Sequence, residues 1–398
     1  MGSTLKIGLV AAATAFVAFG LAGCADLPSS GPSTAAVLDA GASDPVVRPY
    51  EVIDVDPSTI EDLARRPKSS LAARFGDHRA SLEPVIGVGD MIAVTIWEAS
   101  SGGLFSSPAA LEHLSAGANS ATIPEQVVGR DGSISVPYAG RVVVAGRTTR
   151  AVQEVIQHAL EGKAIQPQVL VTDNKPISST VTIGGEGIGA SQRVALSTKG
   201  DRLLEVIAQA GGVRMQVNEL YVVLQRNGVT ERVPLARVTN DSRENIFMRP
   251  GDTVTLVRDP QTFLTYGAVN GASEVPFGAD SLTLAQALAK VGGVADYRSD
   301  ARGLFVFRLE NPAIVRALRP DSALGRSDGK VPIVYHLDLV NPNSLFMQQR
   351  FQIANRDLVY VSNAPSVEFE KAVAIFNGVL APVTSTTSTA ASAAITLK

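Results

Sequence analysis

An internal repeat in the second half of the chain strongly limits the folds available to it. LLEVIAQAGGV at 203–213 matches LAQALAKVGGV at 284–294, so the two copies begin 81 residues apart. In each copy the first leucine is followed by apolar residues three, four and seven positions later, which predicts a helix with one buried face. The glycine pair after each apolar run predicts a left-handed helix end, because glycine adopts positive φ at little steric cost.

The elements after each repeat helix recur in the same order. A strand follows each helix, and each copy closes with an Asp-containing turn that leads into an apolar strand. These segments are 221–227 and 246–259 in the first copy, and 303–310 and 345–363 in the second. An insertion around 311–330 accounts for the greater length of the second copy. The repeat therefore predicts two homologous β-grasp-like modules of the α+β class, at 176–260 and 261–365.

The region before the repeat has the pattern of short strands. Ile92, Val94 and Ile96 alternate with Ala, Thr and Trp, which predicts a strand after the turn at 87–90. That turn ends in Gly-Asp and so resembles the Asp-containing turns of the two repeats. The polar, small-residue segment 99–122 that follows is expected to be a loop.

The segment 127–148 predicts three further short strands. They are separated by an Asp131-Gly132 turn and by a second turn at 138–140. An Asp-Gly pair between alternating apolar residues is a strong signal for a β-hairpin, so we expect these strands to pair with one another.

A helix and a closing strand complete this region. Thr148 or Thr149 is expected to cap the helix, because a threonine hydroxyl accepts hydrogen bonds from the first free backbone N–H groups. The apolar residues of its predicted buried face are Ala151, Val152, Val155, Ile156 and Ala159. With a strand at 168–172, the pattern predicts a third small α/β module at 81–175.

The charge balance argues against nucleic acid as a partner. Lys plus Arg is 35, Asp plus Glu is 38, and the net charge is −3. Nucleic-acid binding requires a concentrated basic surface, which this sequence does not contain. With 45% hydrophobic residues, the chain has enough apolar surface to form a sizeable core.

No set of residues predicts a catalytic or metal site. The four histidines are far apart in sequence: His78, His113, His158 and His336. The glycine-rich segment 184–189 follows a strand, but it lacks the Gly-Lys-Ser/Thr ending of a phosphate loop and precedes a predicted strand rather than a helix. We therefore expect a tight turn there, and a protein that is not an enzyme and holds no metal.

The first 23 residues predict a lipoprotein signal peptide. Lys6 precedes an apolar and small-residue run at 7–22, and LAGC at 21–24 resembles the lipobox of bacterial lipoproteins. Cys24 is the only cysteine, so an internal disulfide and a cysteine-based zinc site are excluded. The alternatives are a plain secretory signal with an accidental cysteine, or a transmembrane anchor.

The lipobox interpretation gives Cys24 a covalent diacylglycerol on its sulfur and an acyl chain on its amine, and we expect no other cofactor. Several acyl chains anchor a protein stably where one does not. Ala25 rather than Asp follows the cysteine, which favours the outer membrane over retention at the inner membrane.

Residues 24–80 predict the lipid anchor, a linker and a short helix. The segment 25–49 is rich in Pro, Gly, Ser and Ala and is expected to be a tether. Ser58 or Thr59 is expected to cap a helix that ends at Arg66, before a proline.

The last segment, 366–398, predicts a long amphipathic membrane helix. Its 26 residues between Lys371 and Lys398 carry no charge, and as a helix they would span ~39 Å, enough to cross a hydrocarbon core. The predicted membrane-facing residues are Phe369, Val373, Phe376, Leu380 and Val383, and the predicted pore-lining residues are Asn377, Thr384 and Ser388. Because 384–392 is too polar for a helix surrounded by lipid, the pattern favours a ring of helices around water. The alternative is a disordered Ser/Thr/Ala tail.

Several phrases together resemble one family, the outer-membrane polysaccharide export lipoproteins that act as translocons for capsule and exopolysaccharide. They are the lipobox with LPSSGPS at 27–33, IGVGDMIAVTIWE at 86–98, VGRDGSISVPYAGRVVVAGRT at 128–148, and the two modules with AGG or VGG helix ends, which are similar to soluble-ligand-binding β-grasp (SLBB) repeats. The tail departs from the expected pattern, because it lacks an aromatic belt at both interfaces and has Pro382 in the middle of the helix.

The resemblance implies a ring-shaped homo-oligomer, commonly an octamer, with a polysaccharide export domain and periplasmic modules around a cavity. It further implies an α-helical barrel through the outer membrane, formed by the C-terminal helices in contact with membrane lipid. The implied partners are the polysaccharide polymer and an inner-membrane polysaccharide co-polymerase, often a tyrosine kinase.

The leading hypothesis is a passive conduit that is lipid-anchored at the outer membrane and mostly periplasmic. The alternative is a non-pore periplasmic glycan-binding or scaffold lipoprotein. A glycan-modifying enzyme would require a pair of carboxylates in a cleft.

Overall fold

The structure, a computed structural model, describes residues 31–41, 49–76, 84–99, 104–105, 120–326, 329–367, 370 and 373. The chain divides into two compact units: Met1–Pro67 with Gln261–Lys398 forms one, and Lys68–Pro260 forms the other. The N-terminal segment therefore shares a unit with the second repeat module, although the whole of the other unit separates them in sequence.

The N-terminal segment is folded rather than extended. It contains α1 (Thr34–Gly41), β1 (Glu51–Asp54) and α2 (Pro57–Ala64). Composition predicts a tether over 25–49, and this prediction is wrong for residues 34–41. Val37 of α1 is buried in a small apolar cluster with Phe305 and Tyr360 of the second repeat module. This segment of mostly small residues is therefore ordered by the burial of Val37, with Leu38 packed beside it.

Asp56 caps α2, not Ser58 or Thr59 as predicted. Its side chain accepts a hydrogen bond from the backbone N–H of Thr59 at 2.7 Å. Pro57 occupies the first helical position, where its missing N–H costs nothing, so the capping residue must come before it.

The region before the repeat forms one antiparallel sheet and one hairpin. With the helix that precedes it, its elements are α3 (Leu71–Phe75), β2 (Met91–Trp97), β3 (Ser120–Val127), β4 (Ser133–Val136), β5 (Gly140–Val143), α4 (Thr149–Leu160) and β6 (Gln168–Lys175). β2 lies between β3 and β6, and β4 pairs with β5. As predicted, Ile92, Val94 and Ile96 of β2 are buried.

Two predictions for this region need correction. The expected loop over 99–122 is too long, because β3 begins at Ser120, which pairs with Trp97 as part of an exposed edge strand. The Asp131-Gly132 turn does not close a hairpin, since β3 pairs with β2 while β4 pairs with β5. Polar edge strands and turns between two sheets have the same local composition as loops and hairpin turns.

Thr148 caps α4, as one of the two predicted threonines. Its hydroxyl accepts from the backbone N–H three residues later at 3.2 Å. The helix buries Val152, Ile156 and Leu160 against the sheet. The predicted face is therefore correct at its centre and extends one residue further along the helix.

The first repeat module forms a five-stranded sheet with two short helices. Its elements are β7 (Thr180–Gly185), β8 (Gln192–Ala195), α5 (Leu203–Gln209), β9 (Leu220–Arg226), β10 (Val229–Pro234), α6 (Leu235–Asn240) and β11 (Thr253–Arg258), in the sheet order β10-β9-β11-β7-β8. Leu71 of α3 is fully buried in the core of this module with Leu203 and Leu220.

The second repeat module forms a six-stranded sheet that includes β1. Its other elements are β12 (Thr262–Gly267), β13 (Glu274–Pro276), β14 (Leu282–Thr283), α7 (Leu284–Lys290), β15 (Ser299–Glu310), α8 (Pro312–Leu318), β16 (Val331–Leu337), α9 (Asn343–Arg350), β17 (Gln352–Ile353) and β18 (Leu358–Asn363). The sheet order is β1-β16-β15-β18-β12-β13, and β14 and β17 form a small separate ribbon.

The two modules have the same central topology. β11 is parallel to β7 and antiparallel to β9, and β18 is likewise parallel to β12 and antiparallel to β15. The glycine pairs at both helix ends have positive φ, as the sequence predicts: Gly211, Gly212, Gly292 and Gly293. The insertion around 311–330 contains α8 and joins β15 to β16, whereas Asn227-Gly228 alone joins the equivalent strands of the first copy.

A buried arginine–aspartate pair recurs in both modules and was not anticipated from the sequence. In the second module the guanidinium of Arg308 donates from Nε and Nη2 to the two carboxylate oxygens of Asp357, at 2.8 and 2.5 Å. Burial opposes the charge of Arg308, but the charge and hydrogen bonds of Asp357 outweigh burial and raise the pKa of the guanidinium. The equivalent residues of the first module are Arg226 and Asp252.

The Asp-containing turn recurs three times, as the sequence predicts. The carboxylate of Asp90 accepts from the N–H of Gly87 at 2.7 Å, three residues before it. Asp252 and Asp357 accept from the N–H three residues before them at 2.8 and 2.7 Å. Each turn thus fixes the start of a buried strand.

Candidate functional site

The site residues predicted from the sequence lie almost entirely outside the described residues. This holds for Cys24, for the pore-lining candidates and for the membrane-facing candidates other than Val373: Phe369, Phe376, Asn377, Leu380, Val383, Thr384 and Ser388. Residues 365–367, 370 and 373 are helical, and Val373 is exposed. Within the described part of the chain, no helix is long and apolar enough to cross a membrane.

The described residues show the part of the fold from which the N-terminal segment with Cys24 and the C-terminal segment 366–398 extend. β1, β12, β16 and β18 run parallel in the six-stranded sheet, so all four finish at one end of it, which we call the exit end. β18 is the last strand, and the C-terminal segment leaves from it. The first residues of the N-terminal segment lie at the same place.

Thr34, the first residue of α1, connects the N-terminal segment to the exit end. Its hydroxyl donates to Asp300 Oδ2 at 2.6 Å and lies 2.6 Å from the hydroxyl of Ser362, one residue before β18 ends. The hydroxyl of Tyr360 donates to the carbonyl of Pro32 at 2.8 Å. Two ordered contacts therefore hold the start of the described chain against its last strand.

A glycine makes this close approach possible. A Cβ at Gly303 would lie 1.7 Å from the Ser362 hydroxyl and 2.4 Å from the Thr34 hydroxyl. No larger residue fits between β15, β18 and α1 without displacing one of them. A Cβ at Gly31 would lie 2.5 Å from the hydroxyl of Tyr360.

The distance from this contact to Cys24 is limited by the chain itself. Seven peptide steps separate Cys24 from Gly31, so the two are at most ~25 Å apart even when fully extended. On the C-terminal side, the predicted membrane helix begins three residues after Asn363. Both predicted membrane attachments are therefore close to the exit end.

Several exposed apolar side chains lie in the segments that follow or adjoin the exit end. Tyr297 is 81% exposed, and it precedes Arg298, whose carbonyl accepts from the N–H of Ala364 at 2.9 Å. Val340, Leu345 and Phe346, in and before α9, are also more than half exposed. Amphipathic and apolar side chains of this kind favour a location near a lipid surface or a protein interface.

The histidines of the described chain have structural roles. His336 Nδ1 lies 2.6 Å from Asp54 Oδ1, its Nε2 lies 2.7 Å from the carbonyl of Arg302, and its ring stacks on Phe305. His158 pairs with a glutamate on the surface of α4. No group of three or more potential metal ligands exists among the described residues, and His78 and His113 lie outside them.

One pair of carboxylates in the unit Lys68–Pro260, Asp90 and Asp173, is electrostatically coupled. Burial, and then the charge of Asp90, raise the pKa of the Asp173 carboxyl to about 6. The carboxylate of Asp90 accepts from the N–H and the hydroxyl of Ser178, at 2.7 and 2.6 Å, and also from the N–H of Gly87. Both of its oxygens therefore have hydrogen-bond donors. The Oδ1 of Asp173 is buried without a hydrogen-bond partner. The pair is a local pH-sensitive interaction, and the hydrogen bonds of Asp90 give that carboxylate a structural role.

The glycine-rich segment at 184–189 forms a tight turn, as predicted. Gly185 ends β7, and the chain then turns into β8 rather than into a helix. Gly189 packs directly against the backbone of Gly211. The backbone of this segment is therefore packed against its own module at Gly185 and Gly189.

Comparison with known proteins places the chain among export proteins. The family model described as "Polysaccharide biosynthesis/export protein" matches residues 79–172, and an SLBB domain model matches residues 261–361. The first of these covers the β3-β2-β6 sheet region, and the second covers the later repeat module.

Similar proteins extend the match over the rest of the chain. Capsule polysaccharide export protein BexD of Haemophilus influenzae is 35% identical over 387 residues, which cover 95% of this chain and 97% of the relative. Capsule polysaccharide export outer membrane protein CtrA of Neisseria meningitidis serogroup B is 36% identical over 372 residues, covering 92% and 93%. EPS I polysaccharide export outer membrane protein EpsA of Ralstonia nicotianae is 26% identical over 329 residues, covering 78% and 81%.

Proposed function

We propose that this chain, which belongs to the polysaccharide export family, is the outer-membrane component through which a capsular or extracellular polysaccharide leaves the cell. The family's role is transport rather than catalysis, in agreement with the absence of a catalytic motif in the sequence. The structural observation that supports this role best is the contact of Pro32 and Thr34 with β18 at the exit end of the second repeat module.

The lipid on Cys24 is the first membrane attachment in this proposal. A diacylglycerol and an N-acyl chain contribute about 0.8 kcal/mol per buried CH₂, which is ample for stable anchoring. Because seven peptide steps separate Cys24 from Gly31, the anchor holds the exit end near the periplasmic surface of the outer membrane. The contacts of Thr34 and Pro32 transmit this anchoring to the folded module rather than to a loose tether.

The C-terminal segment is the second attachment. In a homo-oligomeric ring, one amphipathic helix from each subunit would present Phe369, Val373 and Phe376 to lipid. Asn377 and Thr384 would face a water-filled lumen. A wide lumen with few charges lets a hydrated polymer pass without binding it strongly enough to stop it. The driving force would come from polymer synthesis, through an inner-membrane co-polymerase.

The test separates this conduit from a non-pore scaffold or glycan-binding lipoprotein. In a strain that lacks the gene, surface polysaccharide is measured after complementation with the full chain or with residues 1–366. The purified proteins are then compared in planar bilayers. We expect the full chain to restore surface polysaccharide and to conduct, and the truncated chain to do neither. Full restoration by the truncated chain, with no conductance from either protein, would support the scaffold instead.

A further inference from the structure

The solvent-facing side of the β3-β2-β6 sheet carries an exposed indole. Trp97 ends β2 and is 36% exposed, whereas its neighbour Ile96 is fully buried. Because side chains alternate along a strand, Thr95 lies on the same outer side as Trp97. Trp97 is also the only tryptophan in the chain.

The strand register identifies what surrounds this indole. Trp97 pairs with Ser120 of β3 and with Gln168 of β6, and both side chains are exposed. Residues directly opposite one another in antiparallel strands have Cβ atoms about 5 Å apart, so a hydroxyl and an amide flank the indole on its two sides.

The next position along the sheet has the same character. Thr95 pairs with Thr122 on one side and with Leu170 on the other, and the two threonine hydroxyls are 3.4 Å apart. Leu170 is 44% exposed. We call these six residues the indole face: Thr95, Trp97, Ser120, Thr122, Gln168 and Leu170.

The indole face matches the chemistry of a sugar ring. One side of a pyranose carries several C–H groups that pack on an aromatic plane, while its hydroxyls both donate and accept hydrogen bonds. The indole and Leu170 supply the apolar surface, and the hydroxyls and the Gln168 amide supply donors and acceptors. None of the six side chains is charged, so the face complements an uncharged ring and offers no ion pair to a lipid headgroup or to a charged protein surface.

We propose that the indole face binds sugar residues of the transported polysaccharide, with one ring stacked on Trp97. This inference rests on the proposed function and adds to it a place where the polymer touches the export domain. A single stacked ring binds weakly, and repeated copies in an oligomer would hold a long polymer by many such contacts without stopping its movement.

The lone tryptophan makes the test direct. The intrinsic fluorescence of the full-length protein in detergent is titrated with oligosaccharides prepared from the strain's own purified polysaccharide. Quenching by acrylamide is measured in parallel. We expect a saturable fluorescence change and at least a twofold fall in the acrylamide quenching constant, because a stacked sugar shields the indole.

Variants then assign the binding to the face. Binding of the same oligosaccharides is measured by saturation-transfer NMR. Trp97→Ala is expected to weaken it at least about fivefold, and Trp97→Tyr is expected to restore most of it, since a stacked aromatic ring is worth about 1 kcal/mol. Thr122→Val keeps the indole and the packing, and it should weaken binding about two- to fivefold. The control, Tyr297→Ala, removes a more exposed aromatic residue outside the face and should change nothing.

Two outcomes would overturn the proposal. The first is an unchanged fluorescence and quenching constant up to saturating oligosaccharide. The second is a change that follows protein concentration rather than oligosaccharide, which would mean that another copy of the chain covers the face. Failure of the proposed function would look different: the strain that lacks the gene would still display its polysaccharide.

Discussion

The guanidinium of Arg226 donates to both carboxylate oxygens of Asp252 inside the first repeat module, from Nε at 2.8 Å and from Nη2 at 2.6 Å. The same Nη2 donates to the carbonyl of Phe247 at 2.9 Å. Both charged side chains are buried, with 7% and 1% of their surface exposed. The pair joins the end of β9 to the turn before β11, the central strand of the sheet.

Replacing Arg226 alone should therefore be severe. Arg226→Met leaves the Asp252 carboxylate buried without a counter-charge, and we expect a loss of about 3–5 kcal/mol in the free energy of unfolding. Urea unfolding of the mature chain, with hydrogen exchange to locate the affected module, measures the loss. The double variant Arg226→Met/Asp252→Asn should recover much of it, because it leaves no unpaired charge and keeps a side-chain oxygen to accept from the N–H of Arg249.

The matched control is an exposed pair in the same sheet. Arg232 and Asp259 also contact each other, but both are about 40% exposed. Arg232→Met should cost at most ~1 kcal/mol. Equal losses for the Arg226 and Arg232 variants would contradict the role assigned to burial.

Gly185 should tolerate no side chain. Its φ is +119°, and an added Cβ would lie 2.0 Å from the carbonyl oxygen of Leu256 in the neighbouring strand. Gly185→Ala therefore combines backbone strain with a clash, and we expect a loss of at least ~3 kcal/mol, measured by thermal or urea unfolding. Gly146→Ala is the control: its φ is +76° and its surroundings are open, so only the strain of about 1–2 kcal/mol remains. A Gly185→Ala loss no larger than that of the control would show that the strands can separate.

The same close approach recurs at Gly267, the last residue of β12, where an added Cβ would lie 2.0 Å from the carbonyl oxygen of Val361.

The repeat could be recognised from the sequence because its constraints act locally: helix faces, glycine helix ends and Asp-containing turns leave a pattern in neighbouring residues. Arg226 and Arg308 could not be recognised, because their partners are 26 and 49 residues away and nothing local marks a buried arginine.

The N-terminal segment shows the same limit more clearly. Composition predicts a tether over 25–49, yet α1 lies within this range and is held by Ser362, and β1 just after it pairs with β16, about 280 residues later. Only the tertiary partner decides that such a segment folds. The surroundings of Trp97 likewise depend on β3, a polar edge strand with the composition of a loop.

Asp173 should make stability depend on pH. Its pKa is raised to about 6 in the folded protein, chiefly by burial, so the folded state binds more protons than the unfolded state between about pH 4 and 6. Stability must then fall as the pH rises through this range, since ionising Asp173 is unfavourable only in the folded chain. Asp173→Asn mimics the neutral acid, and it should be more stable than the natural chain at pH 7.5 and close to it at pH 4.5.

Urea unfolding at the two pH values measures this difference. Asp241→Asn provides the control: Asp241 is an exposed acid whose pKa is lowered by the hydrogen bonds and charge of Arg243. Its replacement should not stabilise the chain at pH 7.5. A gain from Asp173→Asn that is equal at both pH values would mean that Asp173 does not titrate in this range.

Cys24 should carry the lipid. Cells grown with radiolabelled palmitate should label the natural chain, and Cys24→Ser should abolish the label because no other cysteine exists in the chain. Ser29→Ala, five residues later, should be labelled normally. Mass spectrometry of the mature N-terminus checks the result independently. Palmitate on the Cys24→Ser protein would exclude the lipobox interpretation.

Electron microscopy of the lipidated protein in lipid nanodiscs, with and without residues 367–398, tests the conduit most directly. The account predicts a closed ring with a central lumen and density that crosses the bilayer, and it predicts that this crossing density disappears when residues 367–398 are removed. Single subunits, or a ring whose membrane density is unchanged by the truncation, would contradict it.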